Sequence, residues 1–194
     1  MRRRVFALLF CCFLLVSCTD SSGASRVVEV QELYASLASY SAETSVAVSR
    51  EAETLYYTLD VEKDTKDATI TVVEPETLSG VSAHLGTDGV SLEYDGLLLD
   101  VGAFHNGISA VNCVPLTIQA LSSGYLLEQN TEEFNGEEAL RVSLESECSG
   151  EMLHYIIWLS PDNAPLYAEI LEEENILIMI EFTNFSFGDI MSSQ

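Results

Sequence analysis

"MLHYIIWLSPDNAPLYAEILEEENILIMIEFTNFSFG", Met152 to Gly188, holds two runs that are apolar at both parities. In the first, Met152, Ile156 and Trp158 alternate with Leu153, Ile157 and Leu159. In the second, Ile176, Ile178 and Ile180 alternate with Leu177 and Met179. Successive side chains of a strand point to opposite faces, so strands of this kind need apolar cover on both sides. The cover is either other parts of the chain or a bound apolar ligand. The Pro161-Asp162-Asn163-Ala164-Pro165 corner and the acidic "LEEEN" turn (Leu171 to Asn175) divide the stretch into strands.

Upstream, the pattern is simpler. In "TLYYTLDV", Leu55, Tyr57, Leu59 and Val61 share one face, while Thr54, Thr58 and Asp60 take the other. "ATITVV", "GVSAHL", "GVSLEY" and "EALRVSL" alternate in the same way. Asp88-Gly89, Asp95-Gly96 and Asn135-Gly136 tolerate positive φ and suit tight hairpins. The short gaps call for an antiparallel meander, because parallel strands need long crossovers. Two segments depart from period two. "VVEVQELYASLASY" (Val27 to Tyr40) sets Val30, Leu33, Tyr34 and Leu37 at helical spacing. "AFHNGISAVNCVPLTIQALSSG" (Ala103 to Gly124) has no clean alternation; Pro115 opens and Gly124 closes a short helix, with Leu116, Ala120 and Leu121 inward.

The start of the chain reads as an export signal. "MRRR" is a basic n-region and "VFALLFCCFLLV" (Val5 to Val16) an apolar h-region. Twelve residues fall short of the roughly 20 that a membrane-spanning helix needs. Leu15-Val16-Ser17-Cys18 resembles the bacterial lipobox. It implies cleavage before Cys18, a diacylglyceryl group on its sulfur and a palmitate-type acyl chain on the new amine. More than one chain is what stable anchoring requires. "TDSSGAS" (Thr19 to Ser25) is small and polar, as a flexible tether is, and spans roughly 25 Å when extended. The expected divisions are 1–17 signal, 18–26 lipidated cysteine and tether, 27–188 domain and 189–194 tail. The expected place is the extracytoplasmic face of the cell membrane.

Beyond Ser17 the chain has five basic residues against 31 acidic ones, a formal charge of −26. Such a surface repels phosphate backbones and excludes nucleic-acid binding. Its acidity serves solubility or attracts a basic partner. With 47% hydrophobic residues, eight Tyr and eight Phe, the chain has enough apolar surface for one folded domain.

One helix, then strands, a mid-chain helical segment and more strands is an order that resembles the superfamily of lipoprotein carriers and lipid-binding lipoproteins including LolA, LolB and LppX. Trp158 to Gly188 resembles that family's C-terminal hairpin, ending in "F-T-N-F-x-F". "VVEPETLSGVSAHLGTDGVSLEYDG" and "VPLTIQALSSG" resemble its Pro-containing stretch and its lid. The resemblance covers about Val27 to Gly188. It implies a mostly β (α+β) fold: a strongly curved antiparallel sheet, or unclosed barrel, with an N-terminal helix and a short helical lid. It further implies a hydrophobic concavity for lipid or lipoprotein acyl chains. LolA carriers have a basic residue before the Pro where this chain has Glu74, and true LolA is not anchored, so a free shuttle does not fit. An anchored binder fits better. The alternative is a scaffold, an envelope sensor, or an activator of a cell-wall enzyme like the germination lipoprotein GerS, with a protein partner in the envelope.

Catalytic signatures are missing. There is no G-x-S-x-G, S-x-x-K, H-E-x-x-H or P-loop. His84, His105 and His154 lack metal-ligand spacing, and nothing points to a metal or cofactor. Cys113 and Cys148 remain besides Cys18. An even pair in an exported chain suggests a disulfide; two separate buried thiols are the other possibility. Tyr57, Leu59, Ile70, Val72, Trp158 and Ile178 are candidates to line a ligand cavity, or else plain core.

Overall fold

The computed structural model describes residues 21–50, 53–87, 89–102 and 107–191; the expected signal, Cys18, Asp88 and His105 lie outside them. Helix α1 spans Ser21–Ser36 and α2 Cys113–Ser123. The strands are β1 Tyr40–Ser49, β2 Thr54–Lys63, β3 Ala68–Glu74, β4 Ser82–Gly86, β5 Gly89–Tyr94, β6 Leu97–Gly102, β7 Tyr125–Phe134, β8 Glu137–Cys148, β9 Glu151–Leu159, β10 Pro165–Glu172 and β11 Asn175–Phe187. They form one antiparallel sheet in the order β6-β5-β4-β3-β2-β1-β11-β10-β9-β8-β7. Edges β6 and β7 do not pair, so the expected curved, unclosed sheet with two helices is what forms.

Each hairpin follows from local chemistry. Asp95 and Gly96 sit at φ 51° and 73°, and Asn135 and Gly136 at 54° and 87°. Positive φ at both central residues is the twist-matched two-residue turn. Ser149 and Gly150 make a third such turn, at φ 54° and 90°.

Helix α1 differs from the expectation at both ends. It already runs at Ser21, the first described residue, inside the stretch read as a tether. It stops at Ser36 rather than Tyr40, because Met191 N–H donates to the Ser36 carbonyl (2.7 Å) and Ala38 N–H donates to that of Asp189 (2.8 Å). Leu37 pairs with Ile190 as an isolated bridge. The residues read as the start of a tail are therefore part of the domain through Met191. Tyr40 opens β1 instead, in the centre of the sheet.

Both helices pack on one face of the sheet, the inner face. Val27, Val30 and Tyr34 of α1 and Val114, Ile118 and Leu121 of α2 join a single core with Val46, Ile70, Leu144, Ile157 and Ile180. The "F-T-N-F-x-F" end of β11 supplies an aromatic cluster beneath α1. A register shift at Glu43/Thr44 places Phe182, Phe185 and Phe187 opposite Thr44, Ala42 and Tyr40. Tyr34 rests on Phe185 and Phe187 at 6.4 and 5.9 Å, and Tyr40 stacks on Phe185 at 5.6 Å. The Tyr34 hydroxyl donates to the Asn163 carbonyl at 2.7 Å, fixing the helix to the β9–β10 corner.

Candidate functional site

Strand register resolves the inner face into rows, and one row defines the site. Ala42 pairs with Val61, Val61 with Ile70, Ile70 with Ala83, Ala83 with Leu92, and Leu92 with Leu99. The first four are buried, Ile70 at 1% exposure. Leu92 is half-buried and Leu99 is 63% exposed. Beside it, Tyr94 and Leu97 oppose each other and are 57% and 77% exposed. An apolar face that is closed by helices in the middle of the sheet thus continues to the β6 edge, uncovered by any of the described residues. The sequence reading missed β6, because "LLLDVG" shows no alternation.

The six cavity candidates separate. Leu59, Ile70 and Ile178 lie on the inner face but are sealed in the core. Tyr57 and Val72 lie on the same face, half-buried at the margin of the core. Tyr57 and Ile178 also line a cavity of about 240 Å³ beneath the segment leading into α2, together with Val48, Ile108, Ala110 and Leu177. Leu177 reaches it because the register shift at Ile170/Leu171 leaves it without a partner in the ladder. Trp158 does not join the others. Its parity in β9 is opposite to that of the core residues Leu153, Tyr155, Ile157 and Leu159, so it stands on the outer face.

The lid segment is held by Asn112, a residue the sequence reading did not single out. Its side-chain oxygen accepts from the Ser109 N–H (2.7 Å) and hydroxyl (3.1 Å), and its amide donates to the Gly107 carbonyl (2.9 Å). Nearly buried, it satisfies the backbone of a turn that would otherwise leave polar groups unpaired. Gly124 closes α2 as expected, though by an extended conformation (φ −67°) rather than a left-handed one.

The expected Cys113–Cys148 bridge is not formed; both are free and buried. The Cys113 sulfur is occupied locally, 3.3 Å from the Ala110 carbonyl. Burial pushes its thiol pKa up to about 12 and raises those of Tyr34, Tyr40 and Tyr155 well above the usual phenol range. All four stay neutral, as a dry core requires. His84 lies between Thr69 Oγ1 (3.2 Å) and Glu93 (3.0 Å), and His154 meets Ser143 at 2.7 Å, so both make ordinary cross-strand pairs. Among the described residues no group of three His, Cys, Asp or Glu side chains is placed to hold a metal, and no helix is long and apolar enough to cross a membrane.

Solved structures share this architecture. An uncharacterized conserved protein from Thermus thermophilus is similar at TM-score 0.51 and 12% identity, over 87% of this chain and 89% of the other. A LolA superfamily protein from Nitrosomonas europaea is similar at TM-score 0.44 and 10% identity, over 87% and 94%. The lipoprotein LppX from Mycobacterium tuberculosis is similar at TM-score 0.46 and 15% identity, over 84% and 95%. The likeness is one of fold. No family model matches the chain, and no curated protein matches it significantly.

Proposed function

We propose that the chain is a non-enzymatic bacterial lipoprotein, anchored through a lipidated Cys18 at the extracytoplasmic face of the cell membrane, whose sheet takes an acyl chain on the uncovered part of its inner face. The observation that carries this reading is the row from Ala42 to Leu99, which passes from sealed core to open apolar surface without a change of residue type. Exposed apolar surface that continues a core marks a place meant to be covered. Tyr57 and Val72, at the margin, are where an acyl chain entering from the β6 side meets the closed core. The covering group need only be apolar and flexible, since no charged side chain of this row contributes a specific partner. The sealed state of Leu59, Ile70 and Ile178 favours a ligand beside the helix-covered core rather than within it.

The test is to purify residues 18–194 with Cys18→Ser without detergent and to extract and weigh any bound lipid. Copurifying lipid, lost in the Leu97→Asp/Leu99→Asp double variant, supports the reading. Clean protein that also fails to bind a fluorescent fatty acid overturns it.

A further inference from the structure

The outer face of β9 to β11 explains the second apolar parity of the C-terminal strands, and it does so without a covering layer among the described elements. Trp158, Phe134 and Tyr167 form a ring cluster with centroids 5.5 to 5.8 Å apart. Two grooves flank it, of about 550 and 510 Å³, and they share Tyr167 and Glu181 as a common wall. Those two residues are direct partners across β10 and β11. Register extends the line in both directions: Glu74, Thr58, Ser45, Glu181, Tyr167 and Trp158 form one transverse row over six strands. Tyr56, 72% exposed, stands over the first groove.

We propose that this outer row is a docking groove for an extended, Lys- or Arg-bearing segment of a protein partner. The inference is independent of the acyl-binding reading, which concerns the opposite face. Charge selects the occupant. The groove walls carry Glu74, Glu181 and Glu137 on a protein with a formal net charge of −23. The face already displays one example of the recognition proposed: the Arg141 guanidinium lies 5.6 Å over the Trp158 ring and meets Glu128 at 3.5 Å. A cation over an aromatic face and beside a carboxylate is favoured twice. Spacing fits an extended chain. Glu74 and Glu181 stand three strands apart, about 14 Å, and residues i and i+4 of an extended peptide are about 13 Å apart on one side. Two basic side chains four residues apart would meet the two carboxylates, with the intervening backbone passing over Thr58 and Ser45.

The chain's single tryptophan, Trp158, is the reporter. Residues 18–194 with Cys18→Ser are titrated with the peptide Ac-GRSGSRG-NH2, the same peptide with Glu for Arg, and the tetramer of N-acetylglucosamine. The expected result is saturable quenching by the arginine peptide alone, weakened when salt is raised from about 50 to about 500 mM. Glu74→Gln and Glu181→Gln should each weaken it about tenfold, as loss of one member of a close charge pair does. Glu62→Gln should leave it unchanged, and Glu74→Lys with Glu181→Lys should transfer binding to the glutamate peptide. Equal binding of both peptides, binding of the sugar alone, or no response to any probe by a normally folded protein would each overturn the proposal.

Discussion

Leu92 and Leu99 face each other across the β5–β6 hairpin, the first half-buried and the second 63% exposed. The boundary between closed core and open apolar surface runs between them. Edge strands are commonly short, charged or covered, because an open apolar edge invites association. Strand β6 opens with three consecutive leucines, two of which, Leu97 and Leu99, stand on the inner face, and under the proposed reading they are the surface that the acyl chain covers.

Replacing Leu99 with Asp should therefore separate binding from stability. A surface substitution of this kind changes stability by no more than about 0.5 kcal/mol. Fatty-acid affinity should fall at least tenfold, since a carboxylate would have to be desolvated beneath the acyl chain. A thermal melt and a fluorescent fatty-acid titration on the same samples check both halves.

The opposite outcome is expected for Leu59→Ala and Ile70→Ala. These side chains are sealed, so truncation removes transfer energy and leaves a void, with a loss of about 2–5 kcal/mol each. Urea midpoints should drop, while the affinity of the protein that remains folded for the fatty acid stays within twofold. A large loss of affinity at constant stability would instead make these residues part of the ligand site.

The sequence carries most of the meander, the presence of the two helices and part of their inward faces (Val30, Tyr34, Ala120 and Leu121) because alternation and helical spacing depend on nearest neighbours in the chain. Strand β1 escapes such reading. Its inward positions Ala42 and Thr44 are small, and they are small because Phe182 and Phe185 lie opposite them. Thr44 is buried with its hydroxyl directed to the Leu59 carbonyl at 3.4 Å, a polar group whose partner is fifteen residues away. The face of Trp158 is equally invisible. A strand with apolar residues at both parities gives no hint which parity meets the helices, and only register with Tyr167 and Arg141 decides it. The end of α1 depends on Asp189 and Met191, some 150 residues downstream.

Gly124 is required for space, not for a left-handed conformation. A β-carbon there would lie 2.5 Å from the Ala120 carbonyl oxygen and 3.2 Å from that of Glu145. Both are backbone atoms that cannot rotate away. Gly124→Ala should destabilise the protein by about 1–3 kcal/mol, as overpacking does. Hydrogen exchange should show the extra opening concentrated in α2 and the start of β7.

Alkaline pH should unfold the protein by way of its buried neutral groups. The Cys113 thiol ionises near pH 8.5 in the unfolded chain and is pushed up to about 12 in the fold. Its contribution is thus fully present below about pH 8.5 and is lost as pH rises toward 12. Between pH 8.5 and 10 this one thiol removes about 2 kcal/mol, and the buried Tyr34, Tyr40 and Tyr155 extend the loss above pH 10. Urea midpoints at pH 7, 9 and 10.5 should fall in that order. Cys113→Ala, whatever its stability at pH 7, should flatten the first step and reduce the second to the part that the buried tyrosines contribute. Ellman's reagent should find two thiols in unfolded Cys18→Ser protein and almost none in the native state. A count of zero after unfolding would show the two cysteines bridged.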